Sequence, residues 1–454
     1  LVSYLPAMLQ NFLAIVLVKG SLKTQIRSNQ MNWLLILAAF FFLILPGLLL
    51  LYFQGAFRGW SHYRLLNLPA PDSENFAHVL GALTDSFPTQ GRVIRFWVEA
   101  EEIFAARMAA IQSAQHSIQF ETFIMTPGRR ADEFAKAIAD RARHGVSVQL
   151  IVDSYGTKSL DKEYWHSLRQ VGVEVQFFNP FNWRSPLDYL SRTHRKMLLI
   201  DGDRGLIGGA GIADRWDGVE GQQGYPWYDF EVEFQGALIG FLEGLFWQHW
   251  LDAEGTVDLK GRGFGQPETQ DPPLLVVPGE DPSYRDSTIR AFFHTIALSA
   301  TKRLWIASPY LLPDENSAAA LSEAVQRGVD VRILTMGHRN DKSYVYYTSR
   351  ERYRSLLKAG IQIYEYQPSM MHAKILLIDE SWVSLGSANL DPRSFFHNDE
   401  LNLATPEAAL LQWVEEFFIT GFSRSQQVEI TKWHQRPLQE RVIGKVGALF
   451  HWQL

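Results

Sequence analysis

Between Trp33 and Phe53 the chain reads WLLILAAFFFLILPGLLLLYF, 21 residues without a charge. As a helix this run is long enough to cross a bilayer core of about 30 Å. A signal-peptide core is shorter and ends at a small-residue cleavage site, so the pattern predicts a transmembrane anchor over 31–54. Residues 1–18 form a second uncharged stretch, diluted by Ser3, Gln10 and Asn11. Positions 1–30 are therefore read as an N-terminal extension or a weak second span. Lys19, Lys23 and Arg27 precede the strong run while Arg58 and Arg64 follow it, which leaves the orientation open.

After the anchor the pattern changes to short apolar runs that alternate with segments of helical spacing, and it repeats. Ile118–Gly156 and Leu304–Asp341 each read as strand, helix, strand. Phe134, Ala137, Ile138 and Ala142 recur at helical spacing, Gly145 stops that helix, and VSVQLIV supplies a buried strand. Leu321, Ala324, Gly328 and VDVRIL repeat the plan. A second block pairs EYWHSLRQVGVEVQFFNP with ERYRSLLKAGIQIYEYQP, and a third pairs THRKMLLIDGDRGLIGGAGI with MHAKILLIDESWVSLGSANL. Gly255–Pro282 is dense in Gly and Pro. The order predicts an α/β protein of two duplicated units, 55–260 and 283–436, joined by a linker at 261–282. Strands alternating with helices predict mainly parallel sheets, and duplication predicts packing about a pseudo-twofold axis. The tail 437–454 places Val442, Val446, Leu449 and Phe450 at helical spacing among Arg441 and Lys445. It is read as an amphipathic segment, lying on a membrane surface or docked on its own domain.

Charge and composition then narrow the chemistry. Lys and Arg number 43 against 49 Asp and Glu, a net charge of -6 with no bulk basic field for nucleic acid. There are no cysteines, so thiolate nucleophiles and cysteine metal sites are excluded. What remains is concentrated in the third blocks. Each holds His-x-Lys and, after four further residues, Asp: His194, Lys196 and Asp201, then His372, Lys374 and Asp379. Period two puts His and Lys of each copy on one strand face, with Met, Leu and Ile on the other. Two imidazoles and two ammonium groups carry between two and four positive charges, which suits a phosphodiester in its transition state without requiring a metal. One imidazole can attack phosphorus while the other protonates the leaving alkoxide and then deprotonates the acceptor. Asp201 and Asp379 lie on the opposite strand parity and also read as structural anchors at a strand end.

These residues resemble the phospholipase D superfamily, marked by H-x-K-x4-D followed by Gly-Ser-x-Asn. The second copy matches throughout, with Gly386, Ser387 and Asn389 in GSANLDPRSF; the first departs, with Gly209 in GGAGI where Ser is expected and Gly211 where Asn is expected. SPYLLPDE, RGVDVRIL, AGIQIYEYQPSMMHAKILLID and GSANLDPRSF are similar to bacterial cardiolipin synthases. The resemblance implies transfer of a phosphatidyl group from one phosphatidylglycerol to the hydroxyl of another, giving cardiolipin and glycerol through a covalent phosphohistidine, without cofactor or metal. It further implies a bacterial cell membrane, His194 as nucleophile, His372 as acid and base, and Ser387, Asn389 and Gly209 at the phosphate. A carboxylate downstream of each motif is implied to orient the histidines, best placed at Asp229 and Glu400, with Glu231 as a substitute for Asp229. Glu121 and Tyr310 are expected near the pocket. The same constellation also serves a phospholipid hydrolase, a nuclease or phosphodiesterase, or an inactive lipid-binding scaffold. The negative charge and the anchor weigh against nucleic acid.

Overall fold

The computed structural model describes residues 38–42, 44–49, 65–186, 188–218, 224–257, 271–283 and 286–449. Residues 1–59 and 60–454 form separate compact units. In the first, residues 38–42 and 44–49 are helical, with Phe40, Phe41 and Phe42 exposed. Among the described residues no helix is long and apolar enough to cross a membrane. The remainder of the span expected at 31–54, and all of 1–30, lie outside the described residues.

The larger unit is built on two sheets. In chain order the strands are β1 Phe87–Gln90, β2 Arg92–Trp97, β3 Ser117–Thr122, β4 Ser147–Asp153, β5 Glu174–Phe178, β6 Arg192–Thr193, β7 Met197–Ile200, β8 Arg204–Gly208 and β9 Glu231–Gln235. The second half supplies β10 Pro273–Gly279, β11 Arg303–Ala307, β12 Asp330–Met336, β13 Gln362–Tyr366, β14 Ile375–Ile378, β15 Trp382–Gly386, β16 Asn398–Thr405 and β17 Ser425–Gln427. One sheet runs β2-β9-β8-β7-β3-β4-β5, the other β1-β10-β16-β15-β14-β11-β12-β13-β17, with β6 paired to β16. The duplicated α/β plan is present, but the sheets are mixed, not mainly parallel. Only β3-β4-β5 and β11-β12-β13, each joined through helices, and the short β6-β16 pair run parallel. The reason is the length of the connections around the motifs. Three residues join β7 to β8 and three join β14 to β15, and so short a turn allows only antiparallel pairing.

Each motif strand is buried on both faces. Met197 and Leu199 of β7, with Ile375 and Leu377 of β14, enter one core shared by the two sheets. Leu198 and Ile200 face a first-half core, and Leu376 and Ile378 a second-half core. The apolar run therefore fills both sides of the strand, as in sheets covered on both faces, instead of one side opposite a polar face. His and Lys sit just before each strand, outside this alternation. The shared core also takes Phe246 and Trp250 from helix Leu238–Asp252, and Phe417 and Phe418 from helix Ala408–Ser423. Across the junction of the halves the Tyr228 ring stacks on Tyr366 and Phe417 at 4.8 and 4.4 Å. Helix Phe76–Leu83 and β1 pack with the second-half sheet, and β10 occupies the end of the stretch expected as a linker. The C-terminal helix Leu438–Ala448 docks through Gly444 and Gly447 on helix Ser343–Lys358 and leaves Leu438, Val442, Val446 and Leu449 exposed.

The motif aspartates close the turns. Asp201 and Asp379 adopt left-handed backbone, with φ of 53° and 51°. The Asp201 carboxylate accepts the N–H groups of Gln115, His116 and Ser117 at 2.7–2.8 Å, ahead of and into β3. Asp379 accepts those of Thr301, Lys302 and Arg303 at the start of β11, and the Thr301 hydroxyl. Both lie at the far end of the strand from His and Lys, so they are pinned to the sheet and not brought to the histidines. Removing a carboxylate that satisfies several N–H groups costs about 1–3 kcal/mol. Asp379→Ala is accordingly expected to lower the unfolding free energy from denaturant titration by that amount, while the folded fraction keeps its turnover; loss of turnover without loss of stability would place the aspartate in the chemistry after all.

Candidate active site

Thr193 to Lys196 and Met371 to Lys374 leave the sheets side by side, and two backbone hydrogen bonds cross between the halves. His194 N–H donates to the Asp399 carbonyl at 2.8 Å, and His372 N–H to the Tyr228 carbonyl at 2.8 Å. These crossings place the residues that follow, Glu400 and Asp229, under the opposite imidazole. His194 Nδ1 donates to Glu400 at 2.9 Å, and His372 Nδ1 to Asp229 Oδ2 at 2.9 Å. The orienting carboxylates are therefore exchanged: each histidine is held by the other half. Glu231 does not substitute for Asp229, since it is locked in a buried pair with Arg107 at 2.7 Å. Phe123 packs edge-on against His194, and Trp216 and Trp227 flank His372 with ring centres at 5.4–5.5 Å.

Both histidines and both lysines are buried. Lys196 Nζ donates to its own His194 carbonyl at 2.6 Å; Lys374 does the same to His372, and its Nζ lies almost equally close to both ring nitrogens of His372, 3.1 Å from Nδ1 and 3.2 Å from Nε2. His194 Nε2 has no hydrogen-bond partner among the described residues. Burial, only partly offset by Glu400, pushes the His194 imidazole down to about 3. Burial and then the neighbouring Lys374 charge push His372 to about 4. Burial lowers both lysines, Lys196 to about 7 and Lys374 to about 8, and Lys374 further depresses Lys196. Burial would raise Asp229 and Glu400, but their histidine partners outweigh it and hold both below the usual carboxylate range. At neutral pH the site thus holds two neutral imidazoles, two ionised carboxylates and two lysines near their midpoints. Its charge falls below the two to four positive charges that counting residues gives.

Ser387 and Asn389 are both close by, in different roles. Ser387 Oγ donates to Glu400, as does Ser394 Oγ at 2.6 Å. Asn389 N–H donates to Ser394 Oγ at 2.9 Å, and its buried Oδ1 has no partner. In the first half Gly209 stands where Ser387 does, its N–H bonded to the Phe230 carbonyl as that of Ser387 is to Leu401. A Cβ there would overlap Asp229 Oδ1. Asp229 instead takes its second donor from the Trp216 indole, at 2.9 Å. Gly209 thus supplies room for Asp229.

Sequence reasoning did not find the cluster behind His194. His249, inside helix Leu238–Asp252, bridges Glu121 of the first half at 2.7 Å and Asp399 of the second at 3.2 Å. Thr193 also donates to Glu121. Burial and the Arg195 charge lower His249, but the two carboxylates prevail and raise it above its ordinary value. No spacing in FWQHWLD marks this histidine, because its partners arrive from β3 and β16. Of the other expected neighbours, Glu121 belongs to this cluster and Tyr310 donates its hydroxyl to Asp341 at 2.8 Å. A cavity of about 330 Å³ between Leu83–Asp85 and Asp286–Thr295 shares no residue with the histidines.

The glycine gives a directional test. Gly209→Ser restores the residue expected from the second copy, yet it should displace Asp229 and misalign His372. Misplacements of about 1 Å cost roughly 10²-fold in rate, so kcat should fall by at least about tenfold with little change in thermal midpoint. An unchanged or faster enzyme would show that Asp229 needs no such room.

The comparisons with known proteins follow the same outline. The family model described as "Cardiolipin synthase, PLD-like domain" matches residues 108–216 and 294–420, which include both histidine motifs but neither Asp229 nor His249. Cardiolipin synthase 2 of Bacillus anthracis is 31% identical over 381 residues, 82% of this chain and 72% of that protein. Cardiolipin synthase A of Pseudomonas syringae is 31% identical over 343 residues, 75% of this chain and 71% of that protein. Among solved structures, phosphatidylserine synthase of Haemophilus influenzae superposes with a TM-score of 0.66 at 15% identity, covering 83% of this chain and all of that one, a likeness of fold. With both motifs inside the matched segments and nearly a third of residues shared along most of its length, the chain belongs to the PLD-like cardiolipin synthase family.

Proposed function

We propose that the protein is a membrane phosphatidyltransferase that makes cardiolipin from two molecules of phosphatidylglycerol. The observation that carries this reading is the pair of buried imidazoles, each with Nδ1 held by a carboxylate and each beside a lysine. A carboxylate on Nδ1 fixes the tautomer that leaves the Nε2 lone pair for attack and stabilises the cation that attack creates. Family membership supports the lipid substrate, and the N-terminal apolar run supports a bacterial membrane location.

In the first step His194 Nε2 attacks phosphorus of one phosphatidylglycerol. The bond from phosphorus to the glycerol oxygen breaks, and His372 gives that oxygen a proton. The product is glycerol and a phosphatidyl group on His194. In the second step the hydroxyl of another phosphatidylglycerol loses its proton to His372 and attacks phosphorus; the P–N bond breaks and its electron pair returns to His194. His194 is assigned as the nucleophile because no lysine lies within hydrogen-bond reach of its ring among the described residues, whereas Lys374 lies 3.1 and 3.2 Å from the two ring nitrogens of His372. Lys196 and Lys374 hold the phosphate oxygens, and Asn389 is assigned to the same phosphate by its buried Oδ1 without a partner. The anionic phosphodiester offsets the mutual repulsion of the basic groups and draws protons onto them, which readies His372 as an acid.

The test is to incubate the detergent-purified chain with phosphatidylglycerol and chelator and identify products by mass spectrometry. Cardiolipin and glycerol are expected, with His194→Ala and His372→Ala each slower by about 10³-fold or more; phosphatidate instead would make water the acceptor. A substrate with a good leaving group needs no acid in the first step. His372→Asn should then accumulate a phosphatidyl adduct on His194, and an adduct on residue 372 in His194→Asn alone would reverse the roles. The lysines give a pH dependence. An anion that keeps its charge, such as tungstate, binds to ammonium groups, so its affinity is full below the free lysine values and falls as pH rises through 7 and 8. About tenfold weaker inhibition per lysine is expected between pH 7 and 9; a flat profile would refute lysine binding of the anion.

A further inference from the structure

We infer that the aromatic and basic loops around the two histidines form a docking surface for an anionic lipid bilayer. The inference rests on the lipid-substrate reading above and adds to it a means of presenting the site to the bilayer.

Among the described residues 60–449, seven aromatic side chains are exposed, and five of them, Tyr155, Phe181, Trp183, Tyr225 and Tyr344, lie on segments that border the site. Tyr155 precedes Gly156, which is packed against Phe123, the residue edge-on to His194. Phe181 meets Tyr189 at 5.7 Å, and Tyr189 in turn lies 4.4 Å beneath the guanidinium of Arg192, two residues before His194. Tyr225 is two residues from Trp227, which flanks His372. Tyr344 opens the helix that follows Asp341, whose charge acts on His372. Both ends of the site are thus bordered, although the five come from three loops and the first turn of a helix. Trp183, at 76%, and Phe181, at 67%, are among the most exposed large apolar side chains of the unit.

The chemistry of the ring identifies its occupant. Lys158 lies 4.0 Å over Tyr155, Arg184 5.3 Å over Trp183 and Arg339 5.5 Å over Tyr225. Lys158 and Arg184 have no carboxylate partner among the described residues. A protein interface buries its apolar centre and is depleted in lysine there. Rings that keep one wet edge beneath a cation instead match the headgroup level of a bilayer, where Trp and Tyr concentrate and anionic lipid attracts Lys and Arg. Nucleic acid also takes aromatic and basic surfaces, but the uncharged run from Trp33 to Phe53, long enough to cross a bilayer, favours lipid as the occupant. Docking in this way would let phosphodiesters enter the buried site from the lipid surface.

The absence of cysteine permits a single-label test. Trp183→Cys and, as control, Lys302→Cys are each labelled with an environment-sensitive fluorophore in the full chain. Lys302 is 62% exposed and adjoins the Asp379 turn, at the opposite end of β14 from His372. The proteins are placed in nanodiscs of phosphatidylcholine with or without phosphatidylglycerol. The label at 183 is expected to shift to the blue and lose most of its quenching by iodide in discs with phosphatidylglycerol. The shift should weaken without that lipid and at high salt, while the label at 302 stays unchanged. Equal behaviour of the two labels, or equal shielding without anionic lipid, overturns the proposal. Contact is read here independently of turnover, so contact without product would indict the substrate reading instead. As a second measurement, Phe181→Ser combined with Trp183→Ser should raise KM several-fold on bilayer phosphatidylglycerol with kcat kept, and leave a monomeric short-chain substrate unaffected. Equal losses on both substrates would mean damage to the site and refute a docking role.

Discussion

The exchange of carboxylates between the halves is the constraint on which the site depends. Glu400 of the second half holds His194 of the first, and Asp229 of the first holds His372 of the second. Neither half alone orients its own motif histidine. The backbone bonds from His194 to Asp399 and from His372 to Tyr228 fix the exchange at the level of the main chain. The stacked Tyr228, Tyr366 and Phe417 and the core shared by both sheets then hold it against separation. His249 adds a third tie, since its imidazole, raised above its ordinary value by the two carboxylates it meets, Glu121 and Asp399, again joins one half to the other. Removing one member of such a buried set leaves an uncompensated charge and typically costs about 3–5 kcal/mol.

Burial of four basic groups in one place has an electrostatic consequence. Desolvation and mutual repulsion both favour the neutral forms, so the imidazoles are discharged and the lysines soften toward neutral pH. Only the carboxylates are firmly ionised. A site in this condition is complementary to an anion that arrives together with protons. The uptake would convert one imidazole into an acid while the carboxylate beneath the other stabilises its attack. The same burial excludes water, which matters where the acceptor is to be an alcohol instead.

Much of this was legible in the chain. The duplication, the helix stops and the pairing of motif with motif follow from repeated residues, and the resemblance to the phospholipase D superfamily pointed to Asp229 and Glu400 as the orienting carboxylates. What the sequence did not show has physical causes. The mixed sheets depend on turn length around Asp201 and Asp379, whereas the alternation of strands and helices suggested parallel pairing. The two-sided burial of MLLI and ILLI removed the period that would have distinguished a polar face. The exchange of Asp229 and Glu400, and the bridge at His249, depend on contacts between residues 128–206 positions apart, for which no local pattern exists.

The departure of the first copy from the second bears on how the two histidines came to differ. Glu400 is long enough to meet His194 while taking hydroxyls from Ser387 and Ser394. Asp229 is shorter, approaches the backbone at Gly209, and is satisfied by the rigid indole of Trp216. Serine at 209 and aspartate at 229 compete for one volume, so GGAGI accompanies the shorter carboxylate. Each carboxylate accepts three donors, Glu400 from His194, Ser387 and Ser394, and Asp229 from His372, Trp216 and the Phe230 N–H, while His194 keeps an Nε2 with no partner among the described residues. Its counterpart is a His372 walled by two indoles, with Lys374 beside both ring nitrogens. A nucleophile must present a lone pair, whereas an acid and base must exchange a proton whose affinity responds to the charge nearby. A lysine beside the ring couples the proton affinity of His372 to the phosphate charge, and the His194 ring has no such neighbour among the described residues, an asymmetry that fits the proposed division of labour between acid-base and nucleophile.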